Sequence, residues 1–283
     1  MYFYHADALA LGGAFTRPIQ KAIPSQAACS LPTIGGNAFC QMDKTDFEGK
    51  ISFDSVQSSV NGSFDDQNSY HVTSASVIIN NLNVLNVIMA DQIVARLAAR
   101  HAPKTPAQVA SGEATEAEII TTGCHFSGLR IAGHPVEVDM EHDLFASMPT
   151  YKHWQEAWTK NGAPRDSVSG CIMGNKLSAP DPKEPEPQHL KDVREGFKVL
   201  SGAGALQSTV LTSFVKNVKG IQGPEIKTWG PIVVIPQFGT IYLGEVIVSF
   251  GQRRVHMMRL ELGSPDAGSF IFGSTGSNGS TFP

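Results

Sequence analysis

A chain of 283 residues is long enough to bury a sizeable core, and its net charge of −4 offers no basic field to attract a phosphate backbone, so nucleic acid is not an expected partner. Only 17 % of the residues are charged, against roughly 25 % in an ordinary soluble domain, so Ser, Thr, Asn and Gln must carry much of the surface. No apolar run approaches the roughly 20 residues of a membrane-spanning helix, and the longest, "VLNVIMA" at 84–90, reads as a buried strand.

Met1 leads straight into "YFYHADALALGG", an apolar opening strand without the basic segment that begins a signal peptide. The chain is expected to be either cytoplasmic or the mature part of an exported protein. Cys29 and Cys40 bracket a loop with Pro32, Gly35 and Gly36, which suits a small disulfide; Cys124 and Cys171 would form a second. Four cysteines allow three pairings. Buried free thiols are the alternative, and zinc is disfavoured because no C-x-x-C or H-x-x-x-H spacing occurs. Disulfides favour an extracellular, cell-surface or periplasmic setting.

In "GKISFDSVQSSVNGSF", Ile51, Phe53 and Val56 intersperse with polar residues and Asn61-Gly62 signals a turn. Residues 70–101 read as a β-meander, because β-branched residues dominate and the period is near two. Val77 and Ile79 form one strand, Asn80-Asn81 turns, Leu82 to Ile88 resumes, and Ile93 to Leu97 follows Asp91; the tail "ARLAARH" suits a helical turn. Residues 102–118 read as a loop with one short helix. Phe126, Leu129 and Ile131, then Val136 and Val138, make a hairpin that weakly repeats the 77–91 pattern. Its continuation gathers Glu137, Asp139 and Glu141 on one strand face, either as oxygen ligands for a cation or, as alternation alone predicts, as a solvated face.

"SMPTYKHWQEAWTKNG" is the clear helix, with Asn161-Gly162 as its stop. Tyr151, Trp154 and Trp158 share one face, as a docking stripe or as an aromatic platform for a ligand. "KLSAPDPKEPEPQH" is too rich in proline to pack as helix or sheet. "PIVVIPQFG" supplies a strand, and "GTIYLGEVIVSF" with "RRVHMMRLELG" a hairpin whose tip carries Arg253 and Arg254, solvated or anion-binding. The last Gly/Ser run, "GSTGSNGS" at 273–280, reads as flexible.

The expected fold is mainly β, an antiparallel sandwich or barrel: a β-rich part at 1–143, a helical and Pro-rich insertion at 144–200, and a β-rich part at 201–283 completing the same domain. No nucleophile elbow, P-loop or dinucleotide fingerprint appears, so the reading assigns no catalytic residues, cofactor or metal.

"SASVIINNLNVLNVIMADQIVARLAARH", "HFSGLRIAGHPVEVD" and the ending "GSPDAGSFIFGSTGSNGSTFP" are similar to exported bacterial β-proteins of the choice-of-anchor P type. That resemblance implies export and a surface role, and brings no catalytic residues. The leading functional expectation is a non-catalytic exported structural protein, assembling with itself through an N-terminal strand if that strand is unpaired in its own sheet. A glycan or small-ligand binding module built on Tyr151, Trp154 and Trp158, and an enzyme whose site converges from distant strands, are the alternatives.

Overall fold

The computed structural model describes residues 2–111, 115–160, 209–221, 223 and 225–281. Cys171 and the proline-rich run lie outside the described residues. The first strands in chain order are β1 (Tyr2–Arg17), β2 (Lys21–Gln26), β3 (Cys29–Ser30), β4 (Gly36–Phe47), β5 (Ile51–Asp65), β6 (Tyr70–Val84) and β7 (Ile88–His101). Helix α1 (Pro106–Ser111) precedes five short strands, β8 (Glu118–Ile120), β9 (His125–Ser127), β10 (Arg130–Ile131), β11 (His134–Pro135) and β12 (Glu137–Met140). Helices α2 (Leu144–Ser147) and α3 (Tyr151–Lys160) follow. The last part holds β13 (Thr209–Ser213), β14 (Val215–Lys219), β15 (Lys227–Trp229), β16 (Ile232–Ile235), β17 (Gly239–Ser249), β18 (Gln252–Leu262) and β19 (Ala267–Thr281).

Two open antiparallel sheets pack face to face, so the molecule is a sandwich and not a closed barrel. Sheet 1 runs β15-β16-β17-β18-β19-β1-β2, with β13 beside β17 and β3 beside β1; sheet 2 runs β11-β10-β7-β6-β5-β4, with β8 and β9 also on β7. A small third sheet pairs β12 with β14. The core lies where β1, β19 and β18 cover β5, β6 and β7, filled by Ala6, Ala8, Leu11, Phe270 and Phe272 from one side and Phe53, Val56, Val77, Ile79, Ile93 and Leu97 from the other.

The predicted meander exists, with fewer and longer strands. Asn61-Gly62 and Asn80-Asn81 are not turns; β5 and β6 run straight through them. The real reversal is the three-residue loop Leu85-Asn86-Val87 between the paired Val84 and Ile88; Leu85 and Asn86 both have positive φ, although leucine gives no turn signal. The "ARLAARH" tail is strand to His101, not a helical turn, because it zips against β6 along its length. The Gly/Ser run at 273–280 is the interior strand β19, paired on both sides. Glycine is used there and in β5 for close approach: a Cβ on Gly62 would fall 2.9 Å from the Tyr4 ring, and one on Gly279 would overlap Tyr2.

Both sheets carry a transverse crease at which the inward parity of the strands changes. In β5 the buried residues are Ile51 and Phe53, then Val56, Ser58 and Val60; in β6 they are Thr73 to Ile79 by twos, then Leu82 and Val84. The row at the change, Lys44, Asp54, Asn81 and Asp91, drops out of the ladder while register is kept on either side, and Asn81 has φ +52°. Sheet 1 does the same at Ala10, Gly273, Met257 and Gly244, where both glycines have positive φ. A single left-handed residue turns the following side chains to the opposite face without breaking the strand.

Candidate functional site

At the end of the sandwich where β1, β6 and β18 begin and β7 and β19 finish, the inward residues become polar. The Tyr2 hydroxyl is hydrogen-bonded to His101 Nδ1 at 2.5 Å, and the Tyr4 hydroxyl to His71 Nδ1 at 2.9 Å. The Tyr2 ring stacks on His71 with centroids 3.9 Å apart. Beside them the hydroxyls of Thr73 and Ser277 meet at 2.6 Å, joining the two sheets. Burial pushes the His101 imidazole down to about 4 and holds the Tyr2 phenol well above its ordinary value, so the bond joins a neutral ring to a neutral phenol.

Arg253 lies in the same layer with no exposed surface. It donates to the Phe250 carbonyl at 3.0 Å and to the Ala117 carbonyl at 3.2 Å, tying the β17–β18 tip to the segment before β8, while its Nε has no partner among the described residues. The solvated hairpin-tip reading fails for this residue, because its strand parity places it inward opposite Ser277. A buried charge pair sits further along the sheet. Arg259 grips Glu245 with two bonds of 2.8 Å and lies 3.6 Å over the Tyr242 ring. Burial of Glu245 works against its charge, but hydrogen bonds from His256 and Arg259 outweigh it and hold the carboxyl below its ordinary range.

Arg254, next to Arg253, points the other way. In register it lies opposite Gly276, and Gly276 lies opposite Asp7, so Arg254 reaches across a bare strand to bond Asp7 Oδ1 at 3.0 Å. The neighbouring row is Gln252, Asn278 and His5. These residues line an open polar concavity of about 250 Å³ on the outer face of sheet 1, floored by Gly276 and Gly251.

The aromatic stripe is not displayed. Tyr151 and Trp154 are buried, with the Trp154 indole donating to the Met148 carbonyl at 2.9 Å and its ring 5.9 Å from Phe145. This is the docking arrangement, and it removes these two residues from any ligand platform; the Trp158 side chain lies outside the described residues. Cys29, Cys40 and Cys124 are free thiols, correcting the expected disulfides as far as the described residues reach. Burial raises Cys29 and Cys124 to about 11, so neither is a ready nucleophile or metal ligand at neutral pH. Glu137 and Asp139 sit on β12 in the small third sheet, Asp139 standing 4.0 Å from Lys219. No group of three or more His, Cys, Asp or Glu residues is placed to hold a metal ion among the described residues.

The sequence reading missed Tyr2, His101, Asp7 and Gln252. The usable signal was the alternation of glycine through the C-terminal run, since Gly276 and Gly279 make room for Asp7 and Tyr2 respectively.

The profile of a family described as a domain of unknown function, DUF8256, matches residues 2–249. The chain belongs to that family. Neither the curated proteins nor the solved structures supply a match. The matched residues of the DUF8256 chain stop at Ser249, the last residue of β17, whereas the two strands that follow complete sheet 1 and build half of the outer concavity.

Proposed function

We propose that this DUF8256 protein is a non-catalytic structural module that assembles with copies of itself, and that the contact is the outer edge of β4. The expected route through the N-terminal strand does not apply, because β1 pairs with β19 along one side and with β2 and β3 along the other. The observation that carries the proposal is the contrast between β4 and the other sheet edges. The ends of sheet 1 are β2, six residues long and holding Pro24, and β15, three residues long. The far end of sheet 2 is β11, two residues long and closed by Pro135. β4 runs for twelve residues with a ladder partner on one side only among the described residues.

Long, unblunted edges are the natural template for pairing with another chain. Within β4 the stretch Asn37–Met42 carries no charge, and Phe39 on it is 63 % exposed. A second copy satisfies such an edge with identical backbone groups and a matching uncharged segment. The buried charged and polar groups support the structural reading, since Glu245–Arg259 and Tyr2–His101 bond to one another inside the scaffold. The likeness to choice-of-anchor P-type proteins points in the same direction.

Sedimentation velocity over a concentration series tests the proposal. The wild-type chain is expected to associate, and Phe39→Lys with Gln41→Lys to be monomeric with an unchanged melting temperature. A wild type that stays monomeric at its solubility limit, or association that survives both lysines, overturns it.

A further inference from the structure

We infer that the outer concavity of sheet 1 is a binding site for a neutral carbohydrate. Neither guanidinium in the lining is free: Arg254 is bonded to Asp7, and Arg253 is fully buried with its guanidinium turned onto the Phe250 and Ala117 carbonyls, so the site offers no exposed free cation for phosphate and no free carboxylate for an ammonium group. What remains is a set of donors and acceptors with no net charge among them. Asp7 Oδ2, the Gln252 side-chain amide and Asn278 Oδ1 have no hydrogen-bond partner among the described residues, and His5 stands 3.8 Å from Asp7 Oδ1. Planar amide, carboxylate and guanidinium groups in one concavity suit adjacent hydroxyls, each of which donates once and accepts once.

Three features make this a built site. The Asn278 amide is anchored to the Gly251 carbonyl, which sets its orientation. The Arg254–Asp7 pair crosses Gly276, where any side chain would collide with Asp7 and with Arg254, so the glycine keeps the floor open and the pair in place. All the polar residues stand on β1, on β19 or at the β18 start, and the first two strands are held on both sides. Phe250, the chain neighbour of the lining residue Gly251, is 45 % exposed and on this proposal supplies the apolar surface on which a sugar ring packs. The volume of about 250 Å³ takes one or two sugar units.

The test is retention of the purified full chain on an array of immobilised neutral oligosaccharides, with inorganic phosphate and sulfate titrated in parallel by calorimetry. Binding of at least one neutral glycan class is expected. Each of Gln252→Ala, Asn278→Ala and Phe250→Ala should weaken it roughly tenfold, the effect of losing one hydrogen bond or one packed face, at unchanged melting temperature. The Phe39→Lys chain should bind as well as wild type, so this inference stands or falls apart from self-association. Absence of any retained neutral glycan, retention indifferent to all three substitutions, or binding of the inorganic anions in place of sugars overturns it.

Discussion

His101 shows how burial turns a side chain into a pH-dependent element of stability. Its imidazole is 3 % exposed and titrates near 4 in the fold, against an ordinary value near 6.5. Above pH 6.5 the ring is neutral in both folded and unfolded chains and its full contribution is present. As pH falls from 6.5 towards 4 the unfolded chain takes up the proton and the folded one does not, so stability falls, by about 3 kcal/mol across the window. Urea midpoints measured between pH 7 and pH 4 should drop steeply for the wild type and less steeply for His101→Gln. Glu245 acts further down: its stabilisation is present above the ordinary carboxylate range and is lost as pH falls through its lowered folded value. Among the glycines, Gly62→Ala should cost about 1–3 kcal/mol by forcing Tyr4 and Leu31 aside. Gly12→Ala, whose nearest neighbour would be 3.5 Å away, is expected within about 0.5 kcal/mol of wild type. Chemical denaturation of the two variants checks the contrast.

The strands were legible at the scale of elements, because β-branched residues alternate along them; the breaks between strands were harder to read. Asn61-Gly62 and Asn80-Asn81 carry turn chemistry, yet the first pair serves close packing of Tyr4 and the second turns the strand face over at the crease. The tight turn fell on Leu85-Asn86, where geometry overrides residue preference. Parity change also explains why alternation in "ISFDSVQSSV" looked irregular: two regular half-strands of opposite phase meet at Asp54-Ser55. The crease predicts a specific response. Asn81→Gly keeps the left-handed backbone and should be near neutral, whereas Asn81→Val should cost about 1–2 kcal/mol, read as a shift in urea midpoint with unchanged slope. The helix was also legible, since Tyr151 and Trp154 dock one face of α3, but a stripe alone could not separate docking from display.

For the whole molecule, the determining contact joins the two ends of the described chain. β1 and β19 pair from Tyr2–Thr281 to Arg17–Ala267, so the earliest and latest strands share the centre of sheet 1. Removing residues 267–283 should therefore abolish cooperative unfolding rather than trim a tail, which a melting curve would show as loss of a single sharp transition. The same closure hid both polar sites from the sequence. The outer concavity draws on residues 5–7, 251–254 and 276–278, and the inner cluster adds His71 and His101 from the facing sheet. No local motif links positions so far apart; only the pairing register does. What the molecule offers to partners is then decided at its margins, and β4 is its long unpaired margin among the described residues. Amide hydrogen exchange across residues 36–42 as a function of protein concentration tests this most directly. Protection that grows with concentration there, and not in β2, is the predicted result; β4 amides that exchange at one rate across the whole concentration range would contradict it.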